Sequence, residues 1–190
     1  SKQPQGLEHM RFRDRAERDF YRTPVDAVLL AQELMDPNLR WWEPCAGDGA
    51  ISNNLSGITY ASDIYPMIEG IDKRDMLVGD KPSNIDAVVT NPPFFAQYEL
   101  LERCLYEWKI PALLLIRIEP LSTQKRNAYT KHLSKLHIVS SLIKFETEDG
   151  RIVNGNGTVR CGWCLFTPET VDCTETRWVT FKKNVNTLPI

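Results

Sequence analysis

Hydrophobic positions along this chain fall into short unbroken runs separated by spaced, helix-like patterns. Thr23-Pro24 opens the first spaced pattern, with Thr23 as N-cap, Pro24 at the first helical position and Asp26 in the first turn. Val25, Val28, Leu29 and Leu34 give that helix an apolar face, and Asp36-Pro37 ends it. Residues 39–42 read as a short strand that runs into Glu43-Pro44-Cys45-Ala46-Gly47-Asp48-Gly49, a glycine-bearing turn, followed by a helix to about Leu55. Residues 58–61 are a second strand, 68–71 a weaker third and 85–90 a buried fourth ending at Asn91-Pro92-Pro93-Phe94. Beyond it the pattern predicts a helix over 96–108, with Leu100, Leu101, Cys104, Leu105 and Trp108 on one side, and a strand over 111–117. A helix over 122–136, a strand over 137–145, a glycine-rich loop over 150–157 and a strand over 159–166 complete the pattern.

Strands separated by helices imply an α/β fold with a doubly wound, mostly parallel sheet. The last two strands are joined without a helix and are expected to form an antiparallel hairpin at one edge. Ligands of such sheets sit at the carboxyl ends of the strands. Glu43, Asp63, Asp75 and Asn91 all fall at or just past a predicted strand end.

Composition narrows the class. A chain of 190 residues, 42% apolar and 25% charged, reads as a single folded domain, with residues 1–20 as a charged extension and no separate recognition domain. The longest apolar run, residues 110–116, is too short to span a bilayer, and the amino terminus lacks a signal-peptide core, so a cytoplasmic protein with no membrane partner is expected. A net charge of −2 excludes a globally basic binder and leaves room for a local basic face. Five cysteines, an odd number in apolar contexts, fit reduced thiols. Cys161-Gly162-Trp163-Cys164 has zinc-ligand spacing, but a strand there would point the two thiols to opposite faces, so no metal site is expected.

The turn over 43–49 lacks the third glycine and the lysine of phosphate-binding loops. Asp63, just past the second strand, can accept hydrogen bonds from ribose hydroxyls. Together they suggest a ribose-bearing ligand without phosphates, such as S-adenosylmethionine; turn or cap carboxylates are the plainer alternative for Glu43 and Asp63. Asn91-Pro92-Pro93-Phe94 is sharper. An asparagine oxygen and a proline carbonyl can both accept from one NH₂ group, turning its lone pair towards an electrophile, while Phe94 offers a stacking face.

In these segments the chain resembles class I S-adenosylmethionine-dependent amino-methyltransferases, with the Asn-Pro-Pro-Phe form of their (Asp/Asn/Ser)-Pro-Pro-(Tyr/Phe/Trp) motif. Tyr21-Arg22-Thr23-Pro24 resembles the family's Thr-Pro cofactor motif, and Leu142-Ile143-Lys144-Phe145 with Cys161–Phe166 resembles the later strands of small phage-type DNA adenine-N6 methyltransferases. The resemblance implies a Rossmann-like, seven-stranded-type sheet with S-adenosylmethionine as cofactor. It assigns the cofactor to Tyr21, Thr23, Pro24, Glu43, Pro44, Cys45, Ala46, Gly47, Asp63 and Asp75, with Thr23 at the methionine end, Asp63 on the ribose and Asp75 on the adenine amine. Asn91, Pro92, Pro93 and Phe94 would hold the target nitrogen, with adenine flipped from DNA as first expectation. An RNA base, a glutamine amide in protein or a non-catalytic subunit role are the alternatives, and a homodimer or partner subunit could supply the recognition that a short chain lacks. Residues 117–144 carry six Lys or Arg against one acid, so Lys125, Arg126 and Lys131, together with Phe145, are the expected nucleic-acid contacts.

Overall fold

Two strands, β4 (Ala87–Thr90) and β5 (Ala112–Arg117), are apolar almost throughout, because the sheet they centre is covered on both faces. The structure, a computed structural model, describes residues 21–122, 127–140, 143–151 and 160–181. Around β4 and β5 the sheet has eight strands in the order β3-β2-β1-β4-β5-β7-β6-β8. The others are β1 (Trp41–Glu43), β2 (Ile58–Asp63), β3 (Asp72–Lys73), β6 (Leu133–Val139), β7 (Cys161–Phe166) and β8 (Glu175–Val179). Every pairing is parallel except those of β7, which runs antiparallel to both β5 and β6. The α/β, doubly wound, mostly parallel architecture is therefore as expected.

Pleating divides the core. Trp42, Val88, Leu114 and Cys164 face one layer with the helix α2 (Gln97–Glu102), which continues as a π-helical segment over Arg103–Trp108. Trp41, Val89, Leu115, Cys161 and Trp163 face the other, under α1 (Val25–Leu29) and the 3₁₀ turn Gln32–Leu34. Cys161 and Cys164 thus lie on opposite faces of β7. Trp163 Nε1 donates to the Ala27 carbonyl at 2.8 Å, fastening α1 to the sheet.

Several elements depart from the sequence pattern. The antiparallel β6–β7 pair is not at the edge: β7 pairs on its other side with β5, and β8, absent from the expectation, covers β6. The predicted helix over 122–136 is instead a 3₁₀ turn (Glu119–Ser122), the short helix α3 (Asn127–Thr130) and the first half of β6. Leu133 and Leu136 have helical spacing, but ladders on both sides fix them as strand, so pairing overrides local propensity. Residues 49–55 form successive turns rather than a regular helix, and the third strand sits at Asp72–Lys73 rather than 68–71. Thr23 does not cap α1; Pro24 occupies that position with no side-chain bond, and Val25 and Leu29 face outward. Among the described residues no helix is long and apolar enough to cross a membrane.

Candidate active site

The carboxyl ends of β1, β2, β4 and β5 surround a cavity of about 460 Å³, within the range of small-molecule sites. Its floor begins at the turn after β1. Gly47 and Gly49 hold φ of 52° and 81°, left-handed values that favour glycine. A Cβ on Gly49 would also stand 2.5 Å from Asn53 Nδ2 and 2.8 Å from Ile68 Cδ1. Asp63, at the end of β2, ties this turn down: its Oδ2 accepts from the Gly47 amide at 2.8 Å and its Oδ1 from the Tyr65 amide at 2.7 Å. Burial raises the Asp63 carboxyl above its ordinary range despite these bonds. Asp75 shapes the next loop, its Oδ1 accepting from the Leu77 amide at 2.9 Å.

Glu43, the last residue of β1, is 1% exposed, and its Oε2 has no hydrogen-bond partner among the described residues. Burial pushes this carboxyl up to about 8, with the charges of Asp63 and Asp48 adding to the rise and Ser52 opposing it. A buried acid without a full set of partners at a cavity wall is prepared for a cationic or donor-bearing ligand. Pro44, Cys45, Ala46 and Gly47 line the same wall; burial holds the Cys45 thiol well above its usual range, which disfavours its thiolate.

Asn91 follows β4 directly. Its Nδ2 donates to Thr23 Oγ1 at 3.0 Å, and Thr23 is itself buried. The bond fixes the amide and leaves Oδ1 as an acceptor. Pro92 and Pro93 supply no N–H to compete for it. The Pro93 carbonyl is taken by the Ala96 amide at 3.0 Å, whereas the Pro92 carbonyl has no partner among the described residues. Phe94 is 44% exposed at the mouth, with the Arg117 guanidinium 4.1 Å from its ring centroid.

Two distant segments roof the cavity. The Arg22 amide donates to the Glu146 carbonyl at 2.7 Å, and the Arg22 side chain pairs with Asp48. Tyr21 and Thr23 line the wall from one segment, Phe145 and Glu148 from the other, while Pro24 does not reach it. Phe145, expected to contact nucleic acid, is part of the wall and packs partly against the core. Lys131 precedes the amino end of β6, where Leu133 pairs with Phe166, the end of the sheet away from the cavity; it is no part of this site. Lys125 and Arg126 lie outside the described residues. The sequence reading missed Glu148, Leu115 and Cys161, which the fold brings to the wall, and it placed Arg117 only in the basic stretch 117–144. Only Arg117 had a signal, a cation closing an apolar strand. Among the described residues, five acids and two cations line the cavity, and one of the cations, Arg22, is paired to Asp48.

No protein-family model matches the chain, and no curated protein matches it. Among solved structures it is similar to the 23S rRNA methyltransferase ErmE, with 14% identity and a TM-score of 0.50 over 75% of this chain and 66% of that one. It is also similar to a SAM-dependent O-methyltransferase from Thermotoga maritima (13% identity, TM-score 0.47, 78% and 66% covered). A protein described as a predicted O-methyltransferase from Agrobacterium tumefaciens gives 13% identity and a TM-score of 0.49, with 80% and 84% covered. The chain thus spans just under two thirds of ErmE. At such identity the likeness is one of fold alone, a doubly wound, mostly parallel α/β sheet.

Proposed function

We propose that this chain is an S-adenosylmethionine-dependent methyltransferase acting on an exocyclic amino nitrogen, N6 of adenine in DNA. The observation that carries the reading is Asn91, whose Nδ2 is held by Thr23 Oγ1 at 3.0 Å, so that Oδ1 is left to accept from an incoming amine. The cavity suits the cofactor: five acids against two cations favour a cationic ligand without phosphates, and Glu43 Oε2 is a buried acceptor in want of a donor. Glu43 would hold the cationic methionine end, Asp63 the ribose hydroxyls and Asp75 the adenine amine. When bound, S-adenosylmethionine supplies a methyl group made electrophilic by its positive sulfur.

The protein's own contribution is positioning. Asn91 Oδ1 and the Pro92 carbonyl accept the two amine hydrogens, so the nitrogen lone pair, delocalised in the free base, is turned towards the methyl group. Phe94 stacks on the ring that bears the amine. The proton leaves to water once the nitrogen is alkylated, and no strong base is needed. The test is transfer of tritiated methyl from S-adenosylmethionine to DNA, RNA and protein, with the labelled product identified. Label in N6-methyladenine of DNA is expected. Label confined to RNA or protein would change the acceptor, and no transfer by a protein that binds the cofactor would overturn the reading.

A further inference from the structure

Arg117 closes β5 opposite Cys161 in the ladder, is exposed, and reaches the cavity mouth, where its guanidinium lies over the Phe94 ring. Ion pairs among the described residues engage Arg22, Arg40, Arg103, Arg151 and Arg177; Arg117 is in none of them. Its partner among the described residues is an aromatic face, a weak attraction at an exposed position. The planar fork of N–H donors, which matches a phosphate two bonds at a time, is therefore uncommitted. The rest of the wall repels phosphate: Arg22, the other lining cation, is already paired, and Glu43, Asp48, Asp63, Asp75 and Glu148 are acidic. A phosphate-bearing acceptor can place negative charge favourably at one point of this wall, beside Phe94.

Given the reading of Asn91 and Phe94 as the acceptor site, on which this rests, we propose that Arg117 binds a phosphate adjoining the target nucleotide, leaving the Phe94 ring as the base stacks there. In a polynucleotide every base is joined through one sugar to a phosphate on either side, so a cation lying on the stacking ring is within its reach. A glutamine side chain in a protein brings no such anion. Arg117 thereby selects a nucleic acid over a protein acceptor.

The experiment is a binding cycle with the full chain and a short fluorescent oligodeoxynucleotide containing one adenine, its flanking phosphates replaced singly by neutral methylphosphonates. Wild type should lose about tenfold in affinity at one of the two linkages, the loss of one hydrogen-bonded charge contact. Arg117→Gln should bind the unmodified strand about tenfold more weakly and show no further loss on that methylphosphonate, and Arg117→Lys should fall between. Melting curves check that the variants remain folded, as expected for an exposed strand end. Equal methylphosphonate penalties in wild type and Arg117→Gln, or no penalty in wild type, would overturn the assignment of Arg117. Failure of wild type to methylate the unmodified strand, with methyl transfer to protein instead, would overturn the acceptor reading itself.

Discussion

Glu43 gives the site a pH signature. Its carboxyl titrates near 8 in the folded protein and near 4.5 when exposed, so between those values the unfolded chain gives up the proton first. Folding therefore becomes less favourable as pH rises through that window, by up to about 1.4 kcal/mol per pH unit. Glu43→Gln removes the titration, and thermal melts should show the variant gaining on wild type from pH 5 to 8. A constant difference across that range would mean that Glu43 is ionised throughout. Binding of a cationic cofactor favours the ionised acid, so in wild type affinity for S-adenosylmethionine should rise with pH up to about 8, with proton release visible in calorimetry. Thr23 acts one bond away from the chemistry. Thr23→Val leaves Asn91 Nδ2 without its acceptor, so kcat should fall about tenfold while cofactor affinity holds, with Thr23→Ser restoring the rate; a change in cofactor affinity alone would return Thr23 to the methionine pocket. Asn91→Ala should cost on the order of 10²-fold in kcat. The carboxylates and Asn91 were legible in the sequence because each stands beside a strand end within a local motif. Arg117 was legible only as one cation of a basic stretch, and Glu148 not at all, since the fold and not a local motif brings them to the same wall.

Elements were legible where the pattern was long or unambiguous. The buried runs of β4 and β5 can be nothing but strand, and residues 96–108 are helical through to Trp108, although the second half widens to π geometry and stops at Lys109 with φ of 55°. Residues 133–139 misled because two leucines three apart have helical spacing; the register irregularity between Leu133 and Lys135 brings both to one layer in a strand, and only the partner strands decide. Strand β8 was missed because its residues are mostly exposed, Trp178 by 71%, so no apolar alternation marks it. The β6–β7 contact has a sharp test. A Cβ on Gly162 would lie 2.9 Å from Leu136 Cδ1 and 3.1 Å from the His137 carbonyl, so a side chain there must displace Leu136 and crowd the backbone of β6. Gly162→Ala should destabilise by about 1–3 kcal/mol, read as a lower urea midpoint with an unchanged slope. No loss of stability would mean that β6 shifts freely against β7.

Among the described residues, the acid-rich wall of the cavity leaves few positions for DNA phosphates. The logarithm of DNA affinity should fall with that of salt at a slope of about −1 to −3, near −0.9 for each phosphate neutralised. A slope steeper than about −5 would require a broad basic face beyond the described residues. The topology also sets an order of events. Strand β6 has only β7 and β8 as sheet neighbours, and both follow it in the chain. As the polypeptide emerges from the ribosome, residues 133–139 have nothing to pair with until residue 161 and its successors arrive, whereas β1, β2, β4 and β5 can already assemble. Glu146, which fastens the cavity roof to Arg22, lies in the connection between β6 and β7, so the roof waits for the same late strands. Pulsed hydrogen exchange during refolding should find the β6 amides protected together with β7 and after β4 and β5, the pocket closing as the last act of folding.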